Sequence, residues 1–146
     1  MDKCPQCKGH TAGLVYPERI CTSCGCKFDS IQLATTGIIK SVERDWGTYE
    51  VLGQGERWLT KRLTFNKNAT MSEQRHSKRN EVWLVVAGYG TLVIDDLVHF
   101  LSVGDLAKVR PDQWHKFHTG HHGCTVIETW LGDDLRELDI ERRAEG

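Results

Sequence analysis

From Trp46 onward, short runs of β-branched, aromatic and aliphatic residues alternate with turn residues. Their interval of about ten residues is the spacing of strands in an all-β sandwich or barrel. Strands are predicted over 47–52, 56–66, 81–87, 90–95, 97–102, 106–110, 114–119 and 124–130. Gly53-Gln54-Gly55, Gly88-Tyr89-Gly90, Asp95-Asp96, Gly104-Asp105, Pro111-Asp112-Gln113 and the stretch Gly120 to Gly123 punctuate them. The run Glu81 to Ala87 is apolar on both faces, so its strand is expected to be buried on both sides, and the carboxylate that opens it needs a partner. Two segments depart from the pattern. Residues 30–45 hold no sustained period and read as a linker with a short strand or turn. Asp133 to Arg143 carries charges at i, i+3 and i, i+4 spacing, which predicts a helix.

The first 29 residues follow a different logic, because five of the six cysteines lie in the first 26 residues. Cys4 and Cys7 form one C-x2-C pair, Cys21 and Cys24 a second, and a loop separates them. Each pair aims two sulfurs at one point, so the four thiolates predict a closed tetrahedral site for structural zinc, with no position left for a substrate. Few apolar side chains surround it, chiefly Leu14, Val15, Tyr16, Ile20 and Phe28. Metal must therefore supply the folding energy, about 10–16 kcal/mol on the scale of zinc-finger peptides. The segment resembles the zinc-ribbon class and is expected to serve as a structural or docking arm for protein, with nucleic-acid contact as the other reading. The predicted division is a zinc ribbon over 1–29, a linker over 30–45 and a β domain over 46–146.

Composition narrows the partners. With 146 residues, 39% of them hydrophobic, the chain can bury one good core. Its 19 Lys and Arg nearly cancel 20 Asp and Glu, which gives no general attraction to nucleic acid or anionic membrane. No apolar run approaches the roughly 20 residues that span a bilayer, and the N-terminus lacks a signal-peptide core. A cytoplasmic protein without membrane contact is the expectation.

A second set of ligand-type residues lies in the β domain. Gln74 and His76 share a strand face by the period-two rule, Glu81 opens the next strand, and His115 opens a later one. A barrel can gather these four around one ion in a mixed nitrogen and oxygen site open to water or substrate, suited to zinc, iron, manganese or nickel. His118, His121 and His122 sit in a Gly-rich loop and read as solvated. Glu128 has interior parity in the last strand, where a carboxylate can act as a proton-transferring base, orient a ligand or hold sugar hydroxyls. Trp114 adjoins His115 and is expected at the rim of a pocket.

These residues fall in a recognisable order. Trp46 to Leu52, Thr60-Lys61-Arg62-Leu63, Met71 to Gly88, Gly104-Asp105, Trp114-His115, Val126 to Gly132 and Asp139-Ile140-Glu141-Arg142 together resemble a cupin, a jelly-roll barrel of the double-stranded β-helix type. The likeness is to the C-terminal isomerase domain of type II mannose-6-phosphate isomerase/mannose-1-phosphate guanylyltransferase. It implies that Gln74, His76, Glu81 and His115 are metal ligands, and that Lys61, Arg62 and Arg79 meet a phosphorylated sugar. The family's histidine run is here His76-Ser77-Lys78, and Arg110 stands where a proline usually precedes the second-motif histidine. The family's Pro-Gly is Lys67-Asn68, where Asn68 can supply the left-handed turn. No stretch accommodates the nucleotidyltransferase half, so guanylyl transfer is not expected.

The resemblance implies a metal-dependent aldose-ketose isomerase of the mannose-6-phosphate isomerase kind, with Glu128 as the candidate catalytic carboxylate. The alternative is a non-catalytic cupin that sequesters a sugar phosphate or nucleotide-like ligand, with the ribbon as its docking arm. Cupin likeness and the need to cover sheet edges imply a homodimer.

Overall fold

The chain divides into two compact units, Met1–Gly37 and Ile38–Gly146. The computed structural model describes residues 38–143 throughout and, before them, the strands of residues 11–15, 18–21 and 27–29. In the first unit β1 (Thr11–Val15), β2 (Glu18–Cys21) and β3 (Lys27–Asp29) form an antiparallel sheet in that order. Cys21 closes β2, its backbone opposite Thr11. Cys4, Cys7 and Cys24 lie outside the described residues, and so does the four-cysteine site predicted from them.

The second unit is all-β. Its first strands are β4 (Lys40–Arg44), β5 (Gly47–Gln54), β6 (Trp58–Phe65) and β7 (Gln74–Arg75). They are followed by β8 (Asn80–Ile94), β9 (Leu97–Ser102) and β10 (Leu106–Val109). The last are β11 (His115–His118), β12 (Cys124–Leu131) and β13 (Glu141–Arg142). The hydrogen-bonded order is β13-β7-β11-β8-β12-β6-β5-β4, with β9 and β10 also paired to β8. Within the span expected as a linker, β4 forms the outer strand beside β5.

One strand replaces two predicted ones. β8 runs unbroken through Gly88-Tyr89-Gly90, pairing with β10 and β12 over its first half and with β9 and β11 over its second. At the changeover Thr125 faces Ala87 while Val126 faces Val85, a bulge that leaves Val86 as the extra residue and bends the strand from one sheet into the other. Gly88 takes φ 70, and a Cβ there would collide with the carbonyl oxygen of Gly123, so these glycines mark a bend within a strand. Asp95 and Asp96, at φ 46 and 68, make the two-residue hairpin from β8 to β9. Asn68 adopts the left-handed conformation, φ 51, as its sequence context suggested.

The helix predicted for 133–143 does not form, and among the described residues there is no helix. Apart from the Asp134–Arg136 pair at 2.7 Å, its charges find distant partners. Asp133 pairs with Arg57 at 2.7 Å, Glu137 with Lys61 at 2.7 Å and Glu141 with Arg75 at 2.9 Å. Asp139 accepts the backbone N–H groups of Ser77 and Lys78, both at 2.9 Å. Long-range ion pairs and a borrowed cap thus outweigh helix pairs worth about 0.2–0.5 kcal/mol each.

The interior is graded along the strands. β6 turns Lys61, Leu63 and Phe65 inward; β8 turns Glu81, Trp83 and Val85; β11 turns His115 and Phe117; β12 turns Glu128 and then Val126 and Cys124. In each strand the polar residue lies toward the same end, and on β12 the buried Trp130 lies beyond Glu128. The apolar end is closed by aromatic packing, with Phe65 4.4 Å from Trp46 and 4.5 Å from Phe117, and Trp83 5.5 Å from Phe117, ring to ring.

Candidate functional site

The polar end gathers seven buried side chains: Lys61, Gln74, His76, Arg79, Glu81, His115 and Glu128. Strand geometry places them. Register sets Lys61 beside Glu128 and Glu128 beside Trp83 across three strands, while Gln74 faces His115 across β7 and β11. Glu81, 1% exposed, is the hub. Its Oε2 accepts the Arg79 Nε–H at 3.0 Å and lies 3.4 Å from His76 Nε2. Its Oε1 accepts the Trp83 indole N–H at 3.3 Å and lies 3.2 Å from His115 Nε2.

Both imidazoles are oriented from behind. His76 Nδ1 is 2.7 Å from the Asp139 carbonyl and His115 Nδ1 is 3.1 Å from the Gln113 carbonyl, so each ring donates outward and directs Nε2 inward. That is the arrangement in which backbone carbonyls set the tautomer of metal-binding histidines. His115 Nε2 approaches Glu81 in distance but not in hydrogen-bond direction, and it is a buried polar atom left without a hydrogen-bond partner. An orphaned inward nitrogen beside a carboxylate is what a cation would satisfy.

His76, Glu81 and His115 each offer a ligand atom, all within 4.8 Å of one another, and form the possible metal site of the described residues. Ligands held about 2.0–2.1 Å from one ion stand roughly 3–3.4 Å apart. His115 Nε2 and His76 Nε2 lie 3.2 and 3.4 Å from Oε1 and Oε2 of Glu81, one imidazole to each oxygen. Arg79 presently bridges the same atoms, with Nη2 3.1 Å from His76 Nε2. The Gln74 amide is buried on the strand facing His115 and points its Nε2 at Met71 Sδ, 3.9 Å away. His118, His121 and His122 do not gather into a metal group.

Electrostatics follow from burial and from this crowding. Burial pushes His76 down to about 4, reinforced by Arg79, and keeps the ring neutral. For His115 burial acts downward too, but the Glu81 carboxylate 3.2 Å away outweighs it and raises the group. Glu81 is disfavoured as an anion by burial, yet His115, Arg79 and His76 together hold it below the usual carboxylate range. Glu128 behaves oppositely: burial and then the Glu81 charge raise it to about 7, against the pull of Lys61 and Arg79. Its Oε1 accepts the Trp130 indole N–H at 2.7 Å.

The cations are packed on aromatic faces. Lys61 Nζ lies 3.8 Å from the Trp130 ring centroid and 4.2 Å from that of Tyr49, and Arg79 Cζ stands 3.4 Å from the Trp130 centroid. Two expected binding residues lie elsewhere. Arg62 follows Lys61 on a strand and faces the other way, held by Glu50 through two hydrogen bonds of 2.9 and 2.7 Å. Trp114 alternates with His115 and lies between Arg75 and Arg143, 4.6 and 4.3 Å from the ring centroid. Residues to which the sequence assigned no site role complete the site: Asp139, noted only within the cupin-like stretch 139–142, and Arg136 and Glu137 reach back to touch His76, Arg79 and Lys61. A segment expected as a helix gave no signal of that return.

Comparison with known proteins agrees with this architecture. Residues 34–145 match the sequence family described as mannose-6-phosphate isomerase C-terminal. The alginate biosynthesis protein AlgA of Pseudomonas putida is 32% identical over 102 residues, covering 69% of this chain and 21% of AlgA. The mannose-1-phosphate guanylyltransferase of Escherichia coli K12 is 31% identical over 107 residues, covering 73% of this chain and 22% of that protein. The chain thus spans about a fifth of the length of the curated relatives it matches. Among solved structures, an RmlC-like cupin from Shewanella frigidimarina superposes with TM-score 0.55 at 23% identity, over 62% of this chain and 78% of that one. KdgF from a Halomonas species gives 0.57 at 16% identity, over 62% of this chain and 80% of KdgF. The structures share the fold, while the sequence match extends across the inward residues of every wall strand, and on that ground the chain belongs to the mannose-6-phosphate isomerase C-terminal family of cupins.

Proposed function

We propose that the second unit is a metal-dependent aldose-ketose isomerase acting on a phosphorylated sugar, with mannose 6-phosphate the first substrate to test. The observation that carries this reading is the His76-Glu81-His115 group, its ligand atoms within 4.8 Å of one another, at a buried polar end that also holds the Glu128 carboxylate and two cations. His76, Glu81 and His115, with Gln74 opposite, would hold a divalent ion, which when bound polarises a sugar oxygen and stabilises negative charge on it. Glu128 carries the proton between adjacent carbons, a task suited to a group titrating near neutrality. Lys61 and Arg79 anchor the phosphate, and Asp139 and Gln113 keep the two imidazoles turned inward through their carbonyls. Protein loaded with zinc, cobalt, manganese or iron should interconvert mannose 6-phosphate and fructose 6-phosphate and lose that activity on His76→Ala. Absence of turnover with all four metals rejects the assignment.

A second reading is favoured by the closure of the site, since the seven polar side chains are buried and their approach is crossed by residues 136–139. In it the cupin retains a sugar phosphate or nucleotide-like ligand unchanged, and the N-terminal unit, carrying zinc on Cys4, Cys7, Cys21 and Cys24, docks a partner. Mass spectrometry of the purified protein decides: unchanged ligand supports retention, converted product opposes it.

A further inference from the structure

The segment Asp133–Ile140 crosses the polar end of the curled sheet as a strap. Polar contacts make up much of its grip. Glu137 binds Lys61, the Arg136 carbonyl accepts from Arg79 at 3.2 Å, the Asp139 carbonyl holds His76, and the Asp139 carboxylate holds Ser77 and Lys78. Leu138 is 89% exposed and Leu135 and Ile140 are half-buried, so the apolar resistance to its lifting comes from those two side chains. A cavity of about 220 Å³ borders it, lined in part by Ser77, Asp112, Leu138 and Asp139.

The Glu137 carboxylate is the informative group. Lys61 is 3% exposed, and its partner across the ion pair is a side chain that is 48% exposed, reaching down from the strap at 2.7 Å. The Tyr49 phenol also feels Glu137, which adds to burial in raising it. Lys61 and Arg79 share the Trp130 indole, 3.8 and 3.4 Å from its centroid, and repel each other there. Lys61, which also faces the Glu128 charge, and the Tyr49 phenol meet the half-exposed Glu137 carboxylate, with Arg79 beside Lys61 on Trp130 and bonded to Glu81; they make a seat for an anion, and the anion seated there belongs to the chain itself.

We infer that the Lys61, Tyr49 and Arg79 corner is a phosphate seat that Glu137 keeps shut, so that a ligand's phosphate displaces the Glu137 carboxylate and lifts the strap. The inference rests on the reading of Lys61 and Arg79 as the anion anchor, but not on turnover. A phosphate brings more negative charge and more acceptor oxygens than a carboxylate, so it competes for the same donors and frees the strap from its deepest contact.

Titration calorimetry of the full-length, metal-loaded protein with inorganic phosphate tests it. Glu137→Ala should bind phosphate about tenfold more tightly than wild type, Glu137→Gln should shift in the same direction by a few fold, and Lys61→Met should abolish binding. Amide exchange across 133–140 in wild type should accelerate when mannose 6-phosphate is added, and stay unchanged with mannose at equal concentration. Equal or weaker phosphate affinity in both Glu137 variants, wild-type affinity in Lys61→Met, or a strap whose exchange ignores mannose 6-phosphate would each overturn the inference. If phosphate binding follows the expected pattern while no sugar phosphate is converted, the isomerase reading fails and the latch stands. Turnover with Glu137 variants that bind phosphate like wild type has the opposite meaning.

Discussion

Replacing Glu81 by glutamine preserves shape while removing the only full negative charge in hydrogen-bond contact with Arg79 among the described residues. The two charges sit 3.0 Å apart. At an effective dielectric of about 20 their attraction is on the order of 5 kcal/mol, before any refund from what Arg79 keeps. It keeps a bond to the Arg136 carbonyl and its stack on Trp130, so the expected loss is about 3 kcal/mol, the low end for breaking one side of a buried pair. For a unit near 100 residues that is a fall in Tm of about 12 °C. All five tryptophans lie between Trp46 and Trp130, so intrinsic fluorescence melts read the second unit alone, and can be run in chelator whatever becomes of the cysteine-rich unit. Because the native carboxyl is held below its ordinary value, its stabilisation is complete above about pH 4.5 and disappears as pH falls through the lowered value. The gap between wild type and Glu81→Gln should therefore narrow on acidification. In a cycle with Arg79→Met the double variant should lose about 2 kcal/mol less than the sum of the singles. Coupling within about 0.5 kcal/mol of zero, or a Tm within a few degrees of wild type at pH 7, would falsify the account of Glu81 as the electrostatic hub.

Glu128→Gln should cut isomerase kcat by about 10²–10⁴ with metal content unchanged, and remove the rise in rate through about pH 7. The same raised carboxyl stabilises the fold most below its ordinary value and loses that contribution as pH climbs through about 7, so the variant should gain about 2–3 kcal/mol over wild type at pH 8 and little at pH 5. His115→Ala should lower the affinity of the barrel ion at least about 100-fold, seen as one fewer metal per chain in elemental analysis; undiminished content removes His115 from the ligand set. Gly88→Ala must place a side chain at φ 70 against the Gly123 carbonyl and should cost at least about 2 kcal/mol in urea unfolding, whereas a neutral result would mean the β8 bend is not constrained there.

Strand alternation and turn residues made most of the β architecture legible, and the ordered spacing of Gln74, His76, Glu81 and His115 marked the region where His76, Glu81 and His115 converge. What escaped was whatever depends on distant partners. Gly88 and Gly90 look like a turn in sequence, because a bend inside a strand and a break between strands use the same residue. The charges of 133–143 satisfy a helical spacing, and only the positions of Arg57, Lys61, Arg75 and Ser77 in space decide against it. Arg62 and Trp114 were recoverable: each directly follows or precedes an inward residue on a strand, and period two sends it outward.

The tiered interior has a further consequence for how such a domain changes its task. Lys61, His115 and Glu128 each share a wall strand with an apolar footing of its own, so a single replacement at position 61, 115 or 128 rewrites the chemistry of the socket while the Phe65, Trp83, Phe117 and Val126 foundation goes on holding the walls together.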